Sequence, residues 1–252
     1  MTSINAMVLC PVRPGLHPAL LDNQKRRIQQ AADYAGEHGI RVHVMFDDWE
    51  PAWKKPVNNH VERAAFVSAV RNRMILLTAG LTEKHSVLAD LTHVIWMDAD
   101  VVRYEDSLFE RLLETSVKHN AVTAPCVFLD DTNGGVPARR WYDTAGFIDN
   151  GQRAVVYHPW FAGVKPVEGV PWPQQAFTPY GTEYEVDGSV GCVYCVPWEV
   201  YTEGAVHHFV NPTVTEHYPV CQHARAMGKK LLVCLELEVY HAYLPDYGEA
   251  FH

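Results

Sequence analysis

The chain has 252 residues, 48% hydrophobic and 20% charged, which excludes a disordered chain and suits one α/β domain rather than two independent cores. A net charge of -9 offers no chain-wide attraction for nucleic-acid phosphates, and the longest basic cluster, Lys25-Arg26-Arg27, reads as a solvated helix face. No signal peptide is legible and no stretch approaches the ~20 apolar residues of a membrane span, so a soluble, cytoplasmic protein is expected.

Residues 4–10 (INAMVLC) form an apolar run ended by Pro11 and predict a buried strand. Residues 19–38 predict a helix, closed by Gly39. Residues 41–46 alternate as a strand does, and 47–59, with two prolines and two tryptophans, read as a loop. A helix is predicted over 61–79, with Gly80 as its stop, then a strand over 92–97 running into Asp98-Ala99-Asp100. A helix over 104–119 and a strand over 121–127 complete a β-α-β-α-β-α-β order. That order implies a mainly parallel sheet with helices on both faces, and such sheets bind ligands beyond the carboxyl ends of their strands.

Residues 128–182 are rich in Gly, Pro and aromatics (Trp141, Tyr142, Trp160, Phe161, Trp172, Phe177, Tyr180) and read as a long loop region, either a stacking platform for a sugar or base or the core of a lid. Strands are predicted over 183–186 and 191–197 around a tight Asp187-Gly188 turn, then helices over 198–204 and 215–227. A last strand over 230–240 leads to His241. Cys10, Cys126, Cys192, Cys195, Cys221 and Cys234 lie mostly in apolar, strand-like runs, as free thiols of a reducing compartment do.

The sharpest chemical signal is Asp98-Ala99-Asp100 after a buried strand. Residues two apart in a strand share a side, so both carboxylates would project together. Close carboxylates repel unless a cation neutralises them, and magnesium or manganese typically takes one or two carboxylates plus substrate phosphates. A surface turn with two solvated acids would spell the same letters. Haloacid-dehalogenase phosphatases place such a pair after their first strand, and sugar-phosphate nucleotidyltransferases begin with a Gly-rich loop; this chain does neither.

Four stretches together resemble the GT-A-fold glycosyltransferases, and within them the fungal Golgi α-mannosyltransferases of the mannan-polymerase family. They are Val8–Arg13 (VLCPVR), Ala69–Met74 (AVRNRM), Val94–Val102 (VIWMDADVV) and Val186–Gly191 (VDGSVG). The resemblance implies a single GT-A (Rossmann-like) α/β domain over 1–252, with a nucleotide-sugar-binding half (1–127) and an acceptor-side half (128–252). It implies manganese or magnesium on Asp98, Asp100 and His241, with Arg13, Arg71, Asn72 and Asp98 facing a GDP- or UDP-sugar. Asp187 and Glu216 are then the candidate catalytic acids on the acceptor side, beside Glu183 and Glu185. Asp187 reads equally as a turn residue, and Glu216 as an acid stabilising a helix start.

The expected activity is hexose transfer from a nucleotide diphosphate sugar to a hydroxyl of a glycan or small molecule. Inversion would need Asp187 or Glu216 as base; retention would let the leaving phosphate take the proton. Two other readings stay open: transfer to hydroxymethylated bases of DNA, as in some phage enzymes, and a non-catalytic nucleotide-sugar-binding module.

Overall fold

The apolar run at the N-terminus forms Asn5–Pro11 (β1), buried up to Cys10. The computed structural model describes residues 3–13, 15–49, 60–131, 138–141, 147–149, 152–156, 175–177, 182–188, 190–210 and 215–242. Strand β1 pairs in parallel with Arg41–Asp47 (β2) on one side and His93–Met97 (β3) on the other. Pro18–Glu37 (α1) starts at His17, whose Nδ1 accepts a hydrogen bond from the Ala19 amide at 3.2 Å, with Pro18 in the first turn. It ends before Gly39, which at φ 79° takes the left-handed conformation that costs glycine little.

Helix His60–Lys84 (α2) runs through Gly80, the predicted stop. Leu81 beyond it packs against the core, so tertiary burial offsets the poor helix propensity of glycine. Contrary to the sequence expectation, Ala64–Lys84 is long and apolar enough to cross a membrane by length and composition, at mean hydropathy 1.2. Here it lies on the sheet with Val70, Arg71, Met74 and Thr78 buried.

After β3 the predicted alternation breaks. Val101–Tyr104 (β4) is a strand antiparallel to Lys230–Ala242 (β12), and helix Leu108–His119 (α3) opens four residues later than expected. The β-branched pair Val101-Val102 suits a strand, and β12 supplies the partner. Ala121–Asp131 (β5) then runs parallel to β12.

The described residues of the 128–182 region hold strands where its composition suggests loop. It carries Ala138–Trp141 (β6), which pairs with β5, and a separate sheet of Phe147–Asp149 (β7), Gln152–Val156 (β8) and Gln175–Phe177 (β9). Strands this short leave little period in the sequence. The side chains of the aromatics grouped above as a platform lie outside the described residues.

Glu183–Glu185 (β10) pairs with β12, whereas Val193–Pro197 (β11) lies between β3 and β5. The main sheet is therefore ordered β10-β12-β5-β11-β3-β1-β2, and one sheet joins both halves of the chain. Strand β11 is antiparallel to β3 and β5, so β1, β2, β3, β5 and β12 share one direction. Asp187-Gly188 is not a hairpin turn, since β10 and β11 are not partners. Glycine is required at 188 for another reason: a Cβ there would meet Tyr218 Cε2 at 2.7 Å.

Side chains alternate across the sheet. Val94 and Trp96 of β3 join the core under α2, Trp198–Thr202 (α4) and Tyr218–Ala226 (α5). Ile95 and Met97 join the core under α1 and α3. All six cysteines are free and buried.

Burial also makes the fold acid-sensitive. His93, at the start of β3, is 6% exposed; burial first, and Lys229 second, lower its pKa from 6.5 to about 4. The unfolded chain therefore binds a proton that the folded chain refuses. This stability is complete above pH 6.5 and is lost as pH falls toward 4, by about 3 kcal/mol at full extent. Urea unfolding at pH 7.5 and 4.5 should show His93→Gln losing less stability on acidification than the parent chain.

Candidate active site

Strand β3 ends at Met97, so Asp98 and Asp100 do not project from one strand face, as their spacing suggested. They sit in the turn that follows, which is closed by Val101 N–H donating to Asp98 O at 3.2 Å. The Asp98 amide donates to Cys192 O at 3.0 Å, and Gln24 Nε2 from α1 donates to Asp98 O at 3.0 Å. The turn is thus tied to β11 and to a helix, at the carboxyl end of a parallel strand.

Asp100 meets His241. Asp100 Oδ1 lies 2.9 Å from His241 Nε2, and Oδ2 lies 3.5 Å from Arg13 Nη2. A register shift in β12 between Tyr240 and His241 re-aims that strand, and the Ala242 amide donates to Asp100 O at 2.8 Å. Burial opposes the charge on Asp100, but His241, by charge and hydrogen bond, and Arg13 outweigh it and hold the carboxyl at about 2. Burial likewise opposes charge on His241, and Asp100 overrides it and raises that pKa. His241 Nδ1 lies 3.0 Å from Ala242 O, to which it donates, and this leaves Nε2 as the nitrogen facing Asp100.

Asp98 turns the other way. Its Oδ1 accepts from Arg71 Nη2 at 2.9 Å, while its side chain keeps 30% exposure. Burial of the carboxyl raises its pKa, Asp100 adds to this, and Arg71 opposes it. Arg71, 2% exposed, is the hub of the site. Its guanidinium stacks over Trp96 and Tyr194, at 4.9 and 5.8 Å from the ring centroids. Its Nε lies 3.5 Å from Glu216 Oε1. Burial disfavours the charge on Arg71, but Tyr194, Asp98 and Glu216 outweigh this and push its pKa above the ordinary guanidinium value. One buried cation thereby links Asp98 to Glu216.

Helix α5 begins at Tyr218, with Pro219 in its first turn, so Glu216 and His217 precede the helix rather than open it. Glu216 joins the site through Arg71. Asp187 does not: its carboxylate pairs with Arg225 of α5 at 3.1 Å and is 39% exposed. Glu183 and Glu185 lie near His119 and Lys230. Asn72 does not face outward as a nucleotide ligand. Its side chain clasps the backbone of His207, donating to the carbonyl at 2.7 Å and accepting from the amide at 2.8 Å. Arg71, expected at the phosphates, is instead enclosed by protein.

Sequence reading did not find Gln24, Tyr194, His207 and His217. Gln24 is the traceable one: fully buried, it shares the apolar face of α1 with Ile28, Ala31 and Ala35. Tyr194 sits in a strand-like run, His217 at a predicted helix start and His207 between predicted elements.

Among the described residues no three His, Cys, Asp or Glu side chains form a self-sufficient metal site. The expected set of Asp98, Asp100 and His241 is divided, because Asp98 faces Arg71. Asp100 and His241 nevertheless fit an ion whose remaining ligands come from a substrate. Neighbouring octahedral ligands at ~2.0–2.1 Å from magnesium stand about 2.9 Å apart, which is the separation of Asp100 Oδ1 and His241 Nε2. The fixed Nδ1–H is the outer-shell support such a histidine normally has.

No family model and no curated protein matches this chain. A crystal structure of GalNAc-T7 with UDP, GalNAc and Mn2+ matches over 95% of the chain at 13% identity, with a TM-score of 0.52. A glycosyltransferase involved in glycosylating the major capsid of PBCV-1 matches over 52% of this chain and 54% of its own length at 13% identity, with a TM-score of 0.29. The first likeness shows the GT-A-type mixed α/β fold. The chain spans 43% of GalNAc-T7.

Proposed function

We propose that this protein is a metal-dependent glycosyltransferase that moves a hexose from a nucleotide diphosphate sugar to a hydroxyl group. The observation that carries the reading is the Asp100–His241 contact, 2.9 Å, beyond the carboxyl end of β3 in a GT-A-type sheet. Asp100 and His241 would hold manganese or magnesium, and the ion would supply electrostatic stabilisation of the departing diphosphate. Arg13 is 25% exposed beside Asp100, which suits a second positive charge for the same phosphates. Asp98 retains an exposed edge that suits a ribose or the metal shell. Glu216, 13% exposed and ion-paired to Arg71, would be the acid that meets the acceptor hydroxyl.

The mannosyltransferase resemblance points to a GDP-sugar, and the GalNAc-T7 likeness leaves UDP-sugars equally in view. Six buried cysteines, none in a disulfide, suit a cytoplasmic setting. A panel of GDP- and UDP-sugars with manganese, scored for release of nucleoside diphosphate, tests the proposal. One donor should be consumed and chelation should stop its use. Absence of both binding and release across the panel would overturn the proposal.

A further inference from the structure

Around Glu216 lies a polar circuit that hexose transfer as stated above does not use. Tyr194 and His217 are 0% and 4% exposed. The Tyr194 hydroxyl lies 2.9 Å from His217 Nδ1 and accepts from Arg71 Nη1 at 3.4 Å. On the other edge of the imidazole, His217 Nε2 lies 3.2 Å from Glu216 Oε1. Arg71 Nε approaches the same oxygen at 3.5 Å, an ion-pair contact and not a hydrogen bond.

Its protons can be assigned from the partners. Burial, with Arg71 adding, drives the His217 pKa well below 6.5, so the ring is neutral and carries one N–H. Burial also keeps the Tyr194 hydroxyl protonated. The Nε2 edge faces the Glu216 carboxylate at ion-pair distance, which favours the proton on Nε2. Nδ1 then accepts from the Tyr194 hydroxyl. Among the described residues, both side-chain contacts of Glu216 fall on Oε1, so Oε2 is the oxygen left for an acceptor. An imidazole hydrogen-bonded through Nδ1 and facing a carboxylate through Nε2 is restricted in both rotamer and tautomer.

We propose that His217, oriented by Tyr194, is a positioning residue for the acceptor: it fastens Oε1 of Glu216 so that Oε2 receives the hydrogen bond of the acceptor hydroxyl. The inference rests on the glycosyltransferase reading. Its substrate side is any hydroxyl-bearing acceptor, held by one carboxylate oxygen whose aim is set from behind. Asp187 cannot share this role, because Arg225 holds it on the exposed side of α5.

Two isosteres separate positioning from packing. Glutamine places its amide nitrogen near Nε2 of the imidazole, whereas asparagine places it near Nδ1. His217→Gln should therefore keep the donor to Glu216 and stay within about threefold of the parent kcat. His217→Asn should lower kcat by about 10- to 100-fold, the scale of a misaimed reacting group, with the donor KM unchanged. Tyr194→Phe, which removes one oxygen, covers the case in which His217→Asn does not fold; it should lower kcat about fivefold, the equivalent of one ordinary hydrogen bond. Nitrogen-15 NMR of the ligand-free protein at pH 7 should show His217 as the Nε2–H tautomer. A parent kcat in His217→Asn or in Tyr194→Phe, or an Nδ1–H tautomer, overturns this inference alone. An inactive parent chain across the donor panel overturns it together with the glycosyltransferase reading.

Discussion

Asp100→Ala is expected to lower nucleoside diphosphate release at least about 100-fold while leaving the protein folded. A bound ion stabilises transition-state charge by several kcal/mol, and each ~1.4 kcal/mol is a factor of ten in rate. Asp100 is the residue on which the ion would depend most, because its Oδ1 lies 2.9 Å from His241 Nε2. Asp100→Asn should be nearly as inactive, since it keeps the shape and loses the charge. Stability should suffer less than activity. Asp100 raises the pKa of His241 against the effect of burial, so removing Asp100 favours the neutral ring, which burial tolerates. The comparison is steady-state release with manganese beside a thermal melt of each variant. Full turnover by Asp100→Ala, or turnover that ignores chelation, would remove the metal from the mechanism.

The parts of this site that were legible in the sequence are those written as chemistry at short range. Asp98-Ala99-Asp100 marks the end of β3, and His241, near the end of the last strand, lies 2.9 Å from Asp100. Periodicity also located the first two strands and the helix between them within a residue or so. What failed depended on partners far away in the chain. Val101–Tyr104 is a strand because β12, more than 130 positions later, pairs with it. Arg71 and Asn72 are expected, from the resemblance, to face a nucleotide sugar. They are inward because α2 lies over Trp96 and Tyr194 and beside the backbone of His207. Gly188 was read as a turn glycine, yet the space it vacates is filled by the ring of Tyr218. No local pattern records a contact of that kind.

Arg71→Met should be the most damaging single change for stability, at about 3–5 kcal/mol, the scale for removing one partner of a buried ion pair. Methionine fills much of the same volume, so the loss is chiefly electrostatic. Asp98 and Glu216 would each lose a cation, at 2.9 and 3.5 Å respectively. Tyr194 would lose the donor to its hydroxyl and, with Trp96, a stacked guanidinium. Arg71→Lys should recover only part of this, because one ammonium cannot reach two carboxylates and lie flat against two rings. Neutralising Glu216 as well tests the electrostatic origin. The double variant Arg71→Met/Glu216→Gln should be more stable than the sum of its single effects predicts, by about 1–2 kcal/mol, since one stranded charge has been removed. Urea unfolding of the four proteins in the cycle measures this. Strict additivity would mean that Arg71 stabilises the fold by packing on Trp96 and Tyr194 and not by tying Asp98 to Glu216.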